Sequence, residues 1–186
     1  MRLLRRNKKG LSVVVTTLII LVVSVMLATV VTLYAINVTT TRVQEESLML
    51  TKQHVWFNTT GSWAEAAIVI TNVGGRDVVL DKISVRGQEC KWENVYYWRA
   101  NETVSDDLNV TPTEITGDTF SITVQGASRT FQKATSDLTV KSGETLVLYI
   151  MKPDSISVND VGQTVGITVF TSNAEYYKEV NIEAAQ

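Results

Sequence analysis

One histidine and one cysteine limit the chemistry this chain can carry. His54 precedes Val55-Trp56-Phe57, and Cys90 is the sole thiol. Nucleophilic catalysis needs a base beside the nucleophile and a third group to orient that base. With His54 the only base of its kind, no such set assembles, and His54 reads as structural. One His and one Cys also fall short of the nitrogen and sulfur ligands that zinc prefers. Asp77/Asp81 and Asp106/Asp107 have the oxygens for weak calcium binding, but without EF-hand spacing they read as solvated charges. No Gly-rich phosphate loop occurs. The expectation is therefore no catalytic residue, no metal and no cofactor.

The chemistry that does recur is an acceptor for sugar. Asn-x-Thr sequons stand at Asn37, Asn58, Asn101 and Asn109. With 10 Asn and 24 Thr in 186 residues, chance gives about 1.3. The enrichment suits an external glycosylated surface protein. Asn58, Asn101 and Asn109 are the better acceptors, because Asn37 adjoins a segment read below as membrane-spanning. Cys90 has no partner for an intramolecular disulfide, so the chain must rely on its core. It reads either as a small buried apolar side chain or as a link between subunits.

These residues must be positioned by elements whose order is set by one stretch. Leu11 to Ile36, roughly 26 residues, holds no charge, no Pro and no Gly. An apolar run above about 18 residues reads as a membrane-spanning helix. At about 1.5 Å per residue it is roughly 39 Å long, enough for a hydrocarbon core of about 30 Å. Its many β-branched residues are mediocre helix formers in water. In lipid an unpaired amide costs several kcal/mol, so the helix wins regardless. Ser24, Ala28 and Thr32 recur every fourth position, a small-residue stripe that lets helix backbones approach closely.

Charge fixes the orientation. Arg2, Arg5, Arg6, Lys8 and Lys9 precede the run, and Glu45 and Glu46 follow it. The bias predicts a cytoplasmic N-terminus with the bulk of the chain outside. The full chain carries 17 basic and 19 acidic residues, net -2. Removing the five leader cations leaves twelve against 19, a net of about -7. So acidic an outer part excludes nucleic acid as a partner. An ordinary secretory signal has an apolar core of about 7–15 residues and a small-x-small cleavage site. Here the run is about twice as long and ends Leu33-Tyr34-Ala35.

At Lys8-Lys9-Gly10-Leu11 the sequence resembles the type III signal peptide of archaeal type IV pilins and archaellins. The resemblance covers about the first 40 residues. It implies a cut between Gly10 and Leu11 by a prepilin peptidase, with the helix retained. It also implies extraction from the membrane by an assembly ATPase and platform protein, and packing of the helices in a surface filament. Bacterial type IV pilins carry a Glu at the fifth mature position, where this chain has Val15, so the likeness is to the archaeal branch. The implied protein is a membrane precursor that becomes part of an extracellular filament, with other copies of itself as partners. A different reading stays open: a single-span membrane protein that displays a binding domain and does not polymerise.

Ile36, Val43 and Leu50 repeat at heptad spacing, so the helix is expected to continue as an amphipathic neck, with a kink at Thr39-Thr40-Thr41. Beyond His54 the apolar period becomes two. Ile68/Ile70, Ile83/Val85, Phe120/Ile122/Val124, Leu146/Leu148/Ile150, Val165/Ile167/Val169 and Val180/Ile182 alternate with polar residues. Gly74-Gly75, Gly87, Gly126, Ser142-Gly143, Lys152-Pro153-Asp154, Gly162 and Ser172-Asn173 punctuate them. The fold class expected is α+β: a long N-terminal hydrophobic helix, then an all-β antiparallel sandwich. Ile70–Val78 and Val140–Leu148 resemble the immunoglobulin-like heads of archaeal pilins. The domains are 1–10 leader, 11–53 helix and neck, and 54–186 β-sandwich. Trp92, Tyr96, Tyr97 and Trp98 read as an aromatic hairpin that either caps the core or binds sugars or a neighbouring subunit. A long solvated loop is expected after it.

Overall fold

The computed structural model describes residues 8–43, 45–153 and 156–185. Arg2, Arg5 and Arg6 of the leader, and Asp154 of the expected turn, lie outside the described residues, as do the side chains of Lys8, Lys9 and Leu11. The chain forms two compact units, residues 1–43 and 44–186. It is an α+β protein: one long apolar helix followed by a mostly antiparallel β-sandwich.

The first unit is helix α1, Lys8–Val43, 36 residues long. Thr39, Thr40 and Thr41 do not break it. Their hydroxyls donate to the carbonyls of Ala35, Ile36 and Asn37 at 2.9, 2.7 and 2.9 Å. The expected neck is shorter than the heptad spacing suggested, because Leu48–Asn58 is already the first strand, β1, and Leu50 is buried in the β core.

The reason lies in a bulge. Leu48 and Leu50 face the inner core at even positions, whereas Val55 and Phe57 face it at odd ones. The register of β1 against β2 (Trp63–Asn72) slips between Thr51 and His54, and Lys52 has φ +53°. An extra residue absorbed there keeps one face apolar while hiding the strand's period.

The remaining strands are β3 Val78–Val85, β4 Gln88–Cys90, β5 Val95–Ala100, β6 Thr119–Val124, β7 Ala127–Lys133, β8 Leu138–Val140, β9 Thr145–Met151, β10 Thr164–Thr171 and β11 Glu175–Ala185. One sheet runs β6-β7-β5-β9-β2-β1, and the other joins β10 and β11 to β3, which also pairs with β4 and β8. β11 links the two. It pairs antiparallel with β10 as far as Asn181, then parallel with β1 over Ile182–Ala185. The tips Arg86-Gly87 and Gln125-Gly126 have positive φ at both residues, the two-residue turn whose twist matches flanking strands.

The inner core lies between the sheets, where Ile68, Ile70, Leu146 and Leu148 meet Leu80, Ile83, Ile167 and Val169. The first sheet is buried on its outer face as well. There Ala67, Val69, Val147 and Tyr149 pack with Tyr96, Val104, Leu108 and Phe131. β2 and β9 are therefore apolar almost throughout, as strands covered on both faces must be. Burying each large apolar side chain is worth about 1.5–3 kcal/mol gross.

β1 is entered through a tight approach. Ser47 O accepts from the amides of Val73 and Gly74 at 2.9 and 3.1 Å, and Glu45 O from that of Gly75 at 3.2 Å. The Glu46 carboxylate accepts from the Thr171 hydroxyl and from Asn173 Nδ2. A Cβ on Gly74 would lie 2.5 Å from Glu45 O and 2.7 Å from Ser47 N, both backbone atoms that cannot swing aside. Gly74→Ala is therefore expected to destabilise the β domain by about 1–3 kcal/mol, the usual cost of overpacking. Urea unfolding of the full chain in detergent measures it, and an unchanged midpoint would contradict the close approach.

Candidate functional site

The feature of this protein with the largest unmet physical demand is the surface of α1. Ser12–Thr41 forms a span of 30 residues, long and apolar enough to cross a membrane, and none of it is buried within its own unit. Side chains such as Leu21, Met26, Val31 and Leu33 are each 58–65% exposed. Monomeric soluble proteins rarely show a contiguous apolar patch above a few hundred Å².

The hydroxyls on this helix are spent within it. Ser24 Oγ donates to Ile20 O at 2.7 Å, Thr29 Oγ1 to Val25 O at 2.8 Å and Thr32 Oγ1 to Ala28 O at 2.7 Å. Thr16 bonds back to Ser12 O in the same way, and Thr17 to Val14 O. Such back-bonding lets a polar side chain sit in an apolar medium without an unpaired donor. Ser24, Ala28 and Thr32 fall on one face and are all exposed. The Ser24 and Thr32 hydroxyls are folded against the helix, so the stripe presents small volumes. Gly10 also lies in α1, and a Cβ added there meets nothing within 4 Å.

The sequons separate by environment. Asn101 and Asn109 are exposed on the coil between β5 and β6, and Asn37 is exposed on α1. Asn58 is 6% exposed, and its Oδ1 accepts from Gly61 N at 2.6 Å, closing the turn between β1 and β2. That side chain serves the fold, and a glycan on it has no room. The acceptor at Asn109 is coupled to the interior, since Thr111 of the same sequon is buried.

The aromatic segment is not a hairpin. β4 belongs to one sheet and β5 to the other, so Trp92–Trp98 is a crossover. Tyr96 is 2% exposed and joins Phe120, Phe131 and Tyr149 in the outer layer. Phe120 and Phe131 stack at 4.9 Å between centroids. Trp92 packs partly against the inner core, and its Nε1 donates to Asp137 Oδ1 at 3.1 Å. The cluster is mainly core. The coil after it is not simply solvated either, because Val104 and Leu108 are buried beneath it.

His54 stacks on Trp56 at 4.9 Å, and its Nε2 lies 2.8 Å from Asp107 Oδ1. It pins that coil to β1. The His54 contact holds the Asp107 carboxyl below the usual carboxylate range. Of the other acids singled out, Asp77 accepts from Ser142 N at 3.0 Å in a turn contact. Cys90 is half-buried on β4 and packs partly against the inner core.

Sequence reasoning missed Glu65. It is fully buried on β2, pairs across strands with Trp56 and Met151, and accepts at Oε2 from Thr111 Oγ1 at 2.6 Å and Thr111 N at 3.3 Å. Its Oε1 has no partner among the described residues. Burial raises this carboxyl from 4.5 to about 7, against the two Thr111 bonds that pull it down. The available signal was a lone acid inside the run Trp63-Ala-Glu-Ala-Ala-Ile-Val-Ile70, apolar at every other position.

No protein-family model matches this sequence, and a comparison with curated proteins finds no match either.

Proposed function

We propose that this protein is a pilin-like structural subunit of an archaeal type IV pilus-like surface filament, used for adhesion or attachment. The observation that carries the reading is the bare apolar surface of Ser12–Thr41. Water cannot host it, because its burial is worth on the order of tens of kcal/mol gross. A bilayer can host it, and so can a bundle of identical helices outside the cell. The internally bonded hydroxyls suit both, and the Ser24/Ala28/Thr32 stripe suits close helix packing. Before assembly the chain is a membrane precursor, with Lys8 and Lys9 on the cytoplasmic side.

Gly10 supports the processing step. Glycine within a helix costs about 1 kcal/mol relative to alanine, and among the described residues nothing around Gly10 requires its small size. A site read by another protein, the peptidase that cuts between Gly10 and Leu11, accounts for it. Asn101 and Asn109 are the acceptors best placed for glycans on the outer domain, with Asn37 at the helix end.

Intact-mass measurement of the mature protein tests the reading. The expected mass lacks Met1–Gly10, and Gly10→Phe should leave all of the precursor uncut in the membrane fraction. A mature protein that retains its basic leader removes the filament assignment, and leaves a single-span protein that displays its β-sandwich.

A further inference from the structure

Residues 101–118 form a coil longer than the roughly 12–15 residues usual for a loop without secondary structure in a compact domain. Val104 and Leu108 anchor it in the outer apolar layer with Tyr96, Phe131 and Tyr149. Polar contacts hold it at several further points, among them the Lys152–Glu114 and Arg129–Glu102 ion pairs. Tyr96 donates to Gly117 O at 2.7 Å, and Tyr149 to Asn109 O at 2.8 Å. His54 meets Asp107, and Thr111 donates twice to Glu65.

We propose that residues 101–118 are a proton-gated flap over the aromatic layer of the first sheet, latched when the Glu65 carboxyl is protonated and loosened when it ionises. The geometry sets the direction. With the flap closed, an ionised Glu65 has two donors, both from the flap's own Thr111 and both on one oxygen. Its other oxygen is buried and has no partner among the described residues. Lifting the flap admits water to both oxygens, which the charged form needs far more than the neutral form. A neutral carboxyl keeps the Thr111 bonds without the cost of a buried charge.

Among the described residues no neighbouring cation offsets that charge. From β9, Tyr149 presents its hydroxyl, which is spent on Asn109 O, and burial first and Glu65 second hold it above its ordinary value. Lys152, beyond β9, is paired with Glu114 of the flap. On β1, His54 is engaged with Asp107 of the flap, and its Nδ1 lies 3.9 Å from Glu183 Oε1 of β11. Glu183 also accepts from Trp56 Nε1 at 3.1 Å. Asp107 stays ionised through the range that matters, because the His54 contact lowers its carboxyl.

The closed state holds its Glu65 proton up to about pH 7, whereas a hydrated Glu loses it near 4.5. Between those values the closed state binds more protons. Closure is therefore strongest below 4.5, weakens as pH rises toward 7, and is weakest above that. The opening equilibrium should rise about thirtyfold between about pH 5.5 and about pH 8.5.

Amide hydrogen exchange on the full chain in detergent, corrected for the intrinsic rate at each pH, reads this directly. Protection at Val104, Leu108 and Thr111 should fall about thirtyfold at the higher pH, while β9 amides hold theirs. Glu65→Gln should remove the pH difference. Equal flap protection at both pH values in the wild type would overturn the proposal, and that comparison needs no variant. So would a parallel loss in β9, which means global opening. A pH difference that survives Glu65→Gln would assign the effect to His54 and Asp107 instead, and so also overturns it.

Discussion

Ala28→Trp is expected to abolish filament assembly while leaving membrane insertion intact. Ala28 sits between Ser24 and Thr32 on a stripe whose hydroxyls are folded against the helix, so neighbouring backbones can come close there. An indole at the centre of that stripe forces the helices apart. Overpacking costs about 1–3 kcal/mol at a single contact. In a filament each subunit repeats the contact with several neighbours, and about 1.4 kcal/mol per contact is already tenfold in affinity. Insertion depends on total apolarity, which Trp does not reduce enough to matter over 30 residues. Membrane fractionation with electron microscopy of shed filaments measures both halves. Normal filaments from the Trp variant would reject the stripe as the packing face, and loss of insertion would show that the variant fails before assembly.

Phe131→Ala is expected to destabilise the β domain by about 3–5 kcal/mol, the range for truncating a buried Phe. Phe131 is fully buried. It stacks on Phe120 at 4.9 Å, meets Tyr149 edge-on at 5.1 Å, and lies 6.1 Å from Trp98. Each aromatic pair adds about 0.5–1.5 kcal/mol beyond the area it buries. The hole would open in the edge hairpin of β6 and β7, whose strands cannot close over it without breaking their pairing. Typical domains are stable by only about 5–15 kcal/mol, so this one change takes a large fraction of the total. Urea unfolding of the full chain in detergent measures the loss. A cost below about 1 kcal/mol would mean that the outer layer is loosely packed, against the ring geometry.

What could be read from the residues alone follows from how far each signal reaches along the chain. The helix was legible because an uncharged run from Leu11 to Ile36 has few alternatives. Ile68/Ile70, Leu146/Leu148 and Val165/Ile167/Val169 were legible as strands, because one face of each meets the inner core. Arg86-Gly87 and Gln125-Gly126 carried the glycine that their turns need.

β1 was hidden by its bulge at Thr51–His54, which shifts the apolar positions from even to odd. Trp92–Trp98 looked like a hairpin because its aromatics are close in sequence, yet its strands pair with partners in different sheets. Residues 101–118 looked solvated because Val104, Leu108 and Thr111 lie far apart among exposed polar residues. Their burial depends on Phe131 and Tyr149, distant in sequence, and so does that of Glu65. Of the proposed assembly residues, the stripe was visible from spacing, and Gly10 from the resemblance of Lys8-Lys9-Gly10-Leu11 to a type III signal peptide. The internal bonding of the Ser and Thr hydroxyls was not.

The way the chain enters its β domain has a mechanical meaning. β1 follows α1 after a short link, with β2 along one side from Leu48 to Asn58 and β11 along the other over Val55–Asn58. A lengthwise pull on the N-terminal end of β1 is therefore resisted by the β2 ladder and, over Val55–Asn58, by the β11 ladder as well. Many hydrogen bonds carry that load together in shear, where an edge strand would peel away one bond at a time. Glu46 and the Gly74 approach meet the pull before the ladder does.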